Sequence, residues 1–144
     1  MIKKGREGRA GRVFSDGGAR GNPGPAAIGV VVCDWDGQIL KEHQETIGEA
    51  TNNIAEYRAV LKGLQLAKEA GLDEIQYFVD SELVARQLSG VYRVKTPHIK
   101  DLYLLVKEKE RDFHKVTYQQ VPRTHEKIKW ADRLVNQALD LAGA

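Results

Sequence analysis

The segment Val13-Phe14-Ser15-Asp16-Gly17-Gly18-Ala19-Arg20-Gly21-Asn22-Pro23-Gly24 limits what this chain can fold into more than any other. An apolar run ends on a carboxylate, and a glycine-rich bend follows at once. The next residues, Ala26-Ala27-Ile28-Gly29-Val30-Val31-Val32, are a β-branched run of the kind that makes a second strand. The pattern is strand, tight loop, strand, with an acid at the exit of the first strand. Glycines beside that acid let backbone N–H groups and a ligand come close. Dinucleotide and Walker phosphate loops are excluded, because both need a helix after the glycines and the second also needs a lysine followed by serine or threonine. Asp16 must serve something else.

Further along, residues 38–47 read as a third strand after a turn at Asp36-Gly37. Residues 51–70 read as a helix. Thr51 or Asn52 caps its start, Ile54, Tyr57, Leu61 and Leu64 form an apolar stripe, and Gly71 stops it. Residues 74–79 make a short strand that again ends on an acid, Asp80. A short helix follows over 81–88, and Pro97 opens another that runs to about residue 111. Residues 115–121 alternate like a strand, and 130–142 form a last helix with Leu134, Val135, Ala138 and Leu141 inward. Trp35 and Trp130 are expected in the core. The order β-β-β-α-β-α-α-β-α predicts an α/β fold whose mixed sheet is covered by helices. In such sheets ligands gather at the carboxyl ends of parallel strands, where Asp16 and Asp80 both stand.

Length suits one domain over residues 13–144, large enough to bury a core. The single cysteine, Cys33, lies in an apolar strand pattern, which excludes a disulfide framework or a paired-cysteine zinc site. No run approaches the roughly 18 apolar residues of a membrane span, and the N-terminus lacks the apolar stretch of a secretory signal. The expectation is a cytoplasmic protein without membrane contact. Residues 1–12 hold five basic side chains against Glu7, a local charge of +4 in a chain of +2, so the remainder is about −2. Those twelve residues are expected to form a basic, disordered tail. The body itself is no generally basic nucleic-acid binder, so polyanion contact would need local patches, the tail or bound cations.

Asp16, Glu56, Asp80 and Asp132 are the candidate site acids. Each also has a purely structural reading. Asp80 can cap the helix at Ser81, and Asp132 can be a favourable charge in a first helical turn. Glu56 can be a solvated helix face, and Asp16 a turn former. Together they share a context, since each stands where an element begins or ends. The stretches around them are Phe14-Ser15-Asp16-Gly17-Gly18 with Gly21-Asn22-Pro23-Gly24, Thr51-Asn52-Asn53-Ile54-Ala55-Glu56, Val79-Asp80-Ser81 and Ala131-Asp132-Arg133-Leu134. On these motifs, in this order over residues 13–141, the chain resembles type 1 ribonuclease H, particularly its short prokaryotic, archaeal-type and reverse-transcriptase-like branch.

The resemblance implies a ribonuclease H-like fold with a five-stranded mixed sheet, strands one to three antiparallel and strands one, four and five parallel. It implies a hydrolase, an endonuclease that cuts the RNA strand of an RNA–DNA hybrid with two divalent metal ions and leaves 5′-phosphate and 3′-hydroxyl ends. Asp16, Glu56, Asp80 and Asp132 would be the catalytic metal ligands. Asp16 would bridge the ions, Asp80 and Asp132 would lie on the nucleophile side, and Glu56 on the leaving-group side. The chemistry agrees. Two cations clamp the attacking and leaving oxygens of a phosphodiester, and hard Mg²⁺, or Mn²⁺ in its place, prefers carboxylate oxygens. Without cations, four crowded carboxylates repel one another and raise their own pKa values.

Telling RNA from DNA requires contact with the 2′-hydroxyl. The resemblance gives that work to the Gly17 and Gly18 backbone, to Asn22, Asn52 and Asn53, and to Glu56, while Thr51 would hold a phosphate of the DNA strand. Many relatives carry a histidine on the loop before the last acid. Here Val121-Pro122-Arg123-Thr124-His125 fills that place, and His125 is favoured for the role with Arg123 as the other candidate. Glu82, where many relatives have glutamine, is expected to turn away from phosphates. The short segment 91–97 leaves no room for the basic protruding helix of longer relatives. A monomer acting on hybrid is expected. The alternatives are the same site acting on double-stranded RNA or RNA–DNA junctions, and a hybrid-binding module with little catalysis.

Overall fold

In the computed structural model, which describes residues 9–144, the first strand becomes the centre of the sheet because both of its edges are paired. Strand β1 (Arg9–Ala19) runs antiparallel to β2 (Gly24–Asp34), with Asp16 opposite Gly29. Strand β3 (Ile39–Ala50) lies outside β2. On the other side, β4 (Leu72–Val79) runs parallel to β1, and β5 (Lys115–Gln120) parallel to β4. The spatial order β3-β2-β1-β4-β5 is the mixed sheet that the family resemblance implies.

Alternation in β1 divides the protein into two layers. Val13 points into the larger core with Tyr57, Val60 and Leu64 of helix α1 (Asn52–Glu69), Val84 and Leu88 of α2 (Glu82–Leu88), and Ile99 and Val106 of α3 (Pro97–Glu110). Phe14 points the other way, to Ile128 and Leu134 of α4 (Glu126–Leu141). Asp16, two residues on, shares the Phe14 face at the sheet's carboxyl end. Among the described residues, no helix is long and apolar enough to cross a membrane.

Four expectations are corrected. The basic tail does not extend to residue 12, because Arg9–Arg12 already pair with β4, and Gly11 and Arg12 also with β2. Ladder hydrogen bonds there are joined by Arg12 Nε donating to Gln76 at 3.2 Å, which satisfies a charged side chain within the sheet. Residues 1–8 lie outside the described residues. Helix α4 starts at Glu126, four residues before expectation, since the His125 ring accepts from the Lys127 N–H and caps it, and Ile128 is buried. Leu141 is exposed, and Leu139 faces inward in its place. Trp35 is not a core residue either. It is 46% exposed, with the Arg12 guanidinium 4.3 Å above its ring, so it packs against a charged side chain at the surface.

Two glycines decide how closely the helices approach. A Cβ on Gly17 would stand 2.2 Å from the Ala55 carbonyl oxygen of α1, and one on Gly29 would stand 2.2 Å from that of Ala131 in α4. Only a bare backbone lets these helix segments rest on the strands. Gly63 does the same for Tyr77, whose fully buried hydroxyl lies 2.8 Å from Ser15 Oγ and 3.2 Å from the Ala59 carbonyl oxygen. Gly29→Ala should therefore force α4 off β2 and lower stability by about 1–3 kcal/mol. A urea midpoint equal to wild type would show that this approach is not tight.

Candidate active site

Four elements deliver one acid each. β1 carries Asp16, α1 carries Glu56 one turn past its Thr51 cap, Asp80 follows the end of β4, and α4 carries Asp132. Ligand oxygens of Asp16, Glu56 and Asp80 lie within 4.8 Å of one another. Asp132 lines the same cleft, and its charge is near enough to Asp16 to raise that group's pKa. Glu56 reaches Asp16 from the opposite helix layer because Gly17 leaves the way open, and the Gly17 N–H donates to Glu56 Oε1 at 3.3 Å. The structural reading of Asp80 as a helix cap does not hold: Ser81 caps α2, accepting from the Val84 N–H. Asp132 sits seven residues into α4, beyond its first turn.

This crowding has an electrostatic signature. Burial, and then the Glu56 and Asp80 charges, push Asp16 up to about 9, and the Asp132 contact adds to that. Burial and the Asp80 charge push Glu56 up to about 7, against the opposing pull of the Gly17 N–H, Asp16 and Arg123. Asp80 is raised by burial and drawn back by Arg123, whose Nε lies 3.3 Å from its Oδ2. Carboxylates that resist ionisation this strongly need positive charge beside them. A hard divalent cation suits an all-oxygen set of this kind, so the donor set fits a metal site.

The four acids line an open cleft of about 710 Å³ together with Gly17, Gly18, Asn22, Asn52, Asn53 and Arg123. The asparagines tie the loop after β1 to the start of α1: Asn22 Oδ1 accepts from the Asn52 N–H at 3.0 Å, and Asn52 Oδ1 accepts from the Ala19 N–H at 2.9 Å. Both side chains line the cleft. Thr51 is the cap of α1, accepting from the Ile54 N–H, and stands outside the cleft lining. His125 is also outside it. The ring caps α4 and stacks on Phe14 with centroids 5.2 Å apart, lining a separate cleft with Phe78 and Lys127. Glu82 turns along its own helix to Arg86 at 2.9 Å, away from the acids as expected.

Arg20, Leu83 and Asn136 also line the cleft, and no motif singled them out. Asn136 lies four residues beyond Asp132, on the same helix face, and that spacing is a signal that could have found it. It donates to the Asp132 carbonyl oxygen at 3.0 Å and accepts from Arg20 at 3.1 Å. Arg20 is held further by Asp140 at 2.8 Å.

The raised acids set a pH dependence. Asp16 and Glu56 keep protons in the native state up to about pH 9 and 7, whereas in the unfolded chain they release them near the ordinary 3.8 and 4.5. The native state thus binds more protons through this window, and stability falls as pH rises. In EDTA, thermal unfolding should show a lower Tm at pH 8 than at pH 5, and Asp16→Asn should flatten that fall. An unchanged slope in the variant would mean that the cluster carries no such strain.

Residues 14–138 match the family model described as "Reverse transcriptase-like". The chain is 43% identical to the "Bifunctional protein Rv2228c" of Mycobacterium tuberculosis over 90% of its own length, and spans 35% of that relative. It is 43% identical to the "Ribonuclease HI" of Halobacterium salinarum over 92% of its length, covering 66% of that protein. Among solved structures it superposes on LC11-RNase H1 in complex with an RNA/DNA hybrid with a TM-score of 0.87, at 40% identity and with 93% and 99% of the two chains covered. The topology, the ordered motifs and these likenesses agree: the chain belongs to the ribonuclease H family.

Proposed function

We propose that the chain is an endoribonuclease that hydrolyses the RNA strand of an RNA–DNA hybrid, leaving 5′-phosphate and 3′-hydroxyl ends. The observation that carries this is the convergence of the ligand oxygens of Asp16, Glu56 and Asp80 within 4.8 Å of one another in an open cleft that Asp132 also lines. Such a site is ill suited to hold a phosphate by itself, since carboxyl groups dominate it. Asp16, Glu56, Asp80 and Asp132 would hold two divalent ions, Mg²⁺ or Mn²⁺, which when bound supply Lewis-acid stabilisation of the attacking and leaving oxygens.

The remaining work falls to the chain's own groups. Gly17 and Gly18 expose backbone to the ribose, and the free amide ends of Asn22 and Asn52 can donate to 2′-hydroxyl or minor-groove acceptors. Asn53 lines the same wall. Arg123, rather than His125, takes the role of the loop residue before the last acid. Its guanidinium is already at the cleft and offers the planar fork of donors that suits a phosphate. His125 is committed to capping α4 and to the Phe14 stack.

A labelled 20-base-pair hybrid, double-stranded RNA and double-stranded DNA, each with Mg²⁺, Mn²⁺ or EDTA, test this reading. Cleavage of the hybrid's RNA strand is expected with either metal, and Asp16→Asn should reduce it at least about a hundredfold. Cutting in EDTA would sink the metal chemistry. Preferential cutting of double-stranded RNA would move the substrate class, and binding without cutting would reduce the chain to a hybrid-binding module. On the loop, Arg123→Ala should cost about tenfold or more in kcat/KM, the size of a lost charge-assisted phosphate contact. His125→Ala should leave kcat within about threefold and lower stability by about 1 kcal/mol through the lost cap. The reverse ranking would return the role to His125.

A further inference from the structure

Resting on the reading of the acid cluster as a divalent-cation site, we propose that Arg123 is its built-in counter-ion. The guanidinium holds Asp80 while the cation is absent and must withdraw for the cation to bind, so Arg123 tunes the affinity for metal. Arg123 Nε lies 3.3 Å from Asp80 Oδ2, and the two side chains are unequal partners: Asp80 is 13% exposed and Arg123 79%. The carboxylate is fixed, and the arginine is an arm in solvent. The base of the arm is fixed as well, because the His125 N–H donates to the Pro122 carbonyl oxygen at 2.9 Å and the His125 ring caps α4.

No other cation among the described residues is ion-paired to Asp16, Glu56, Asp80 or Asp132. Arg20 lines the same cleft but is tied to Asp140, Asn136 and the Ala144 carbonyl oxygen. Among the described residues, the compensating charge is therefore carried by one side chain free to swing. A divalent cation at the cluster would compete with the guanidinium for Asp80 and repel it, and removing the arginine removes the competitor. Once released, a side chain with five donors and no acceptor is left at the cleft rim, where a phosphate would enter.

The test is calorimetric titration of the intact protein with Mg²⁺ alone, without nucleic acid, in low-salt buffer. Arg123→Gln should bind Mg²⁺ about two- to fivefold more tightly than wild type, the modest size expected of an exposed charge. Arg123→Lys should stay near wild type, since it keeps the charge. Raising the salt concentration should narrow the difference. Thermal unfolding in EDTA gives a second reading: Arg123→Gln should melt lower than wild type without metal and gain more from saturating Mg²⁺. Equal or weaker Mg²⁺ binding by a folded Arg123→Gln would overturn the counter-ion role alone. Absence of Mg²⁺ binding by wild type and variant alike would overturn it together with the metal reading of the cluster.

Discussion

Like charges forced together are what the rest of this structure has to accommodate. Nothing in Asp16, Glu56, Asp80 and Asp132 draws them to one another; their mutual repulsion and burial raise the proton affinity of Asp16 and Glu56. The scaffold overcomes this by geometry. β1 and β4 run parallel, so both carry their acids out at the same end of the sheet, and α1 and α4 bring one more acid from each face. The helices can come near enough only because Gly17 and Gly29 present no side chain where Ala55 and Ala131 press against them. The Ser15 and Tyr77 hydroxyls, buried one residue before Asp16 and three before Asp80, fix the two strand ends relative to α1. The glycines and the buried tyrosine are thus part of the site, although none of their side chains does chemistry.

How much of this could be read from the chain depends on the range of the interaction. The strands and their acids were legible, because β-branched runs ending on Asp16 and Asp80 are local signals. The sheet order followed from topology and from the family resemblance. Local signals failed at the ends of elements. The start of α4 depends on a histidine acting as a cap, an unusual residue for that position, so the helix was expected at Trp130 and Asp132 was placed in its first turn. The tail was read as disordered because it is rich in Gly, Lys and Arg, yet Arg9 pairs with β4 and Arg12 with both β2 and β4 within the sheet.

The loop residue shows a different limit. Position along the chain puts Arg123 and His125 two residues apart and nearly equivalent. In space one reaches Asp80, while the other turns under α4 and onto Phe14. Loop conformation is decided by which side chain finds a buried partner. A ring that both stacks and caps has more to gain from burial than a guanidinium, which is charged and carries five donors to satisfy. Arg20 was missed for the same reason, since its contact with Asn136 joins residues more than a hundred positions apart.

Charge distribution then bears on how such a cleft can meet a polyanion. Residues 13–144 sum to about −2, and the acids converge where a phosphate would have to enter. With no cation present, the cleft repels the proposed substrate. With cations bound, the same carboxylates become the anchor that draws phosphate in. Binding of the two ligands is then thermodynamically coupled, and reciprocally so: whatever cation occupancy adds to affinity for nucleic acid, nucleic acid adds to affinity for the cation. A single exposed guanidinium cannot replace the proposed divalent cations in this respect, because it is paired to one of the four acids and remains largely in water. The fold therefore leaves the cluster under-compensated in the free protein, and that deficit is what makes binding of cations and of a polyanion mutually favourable.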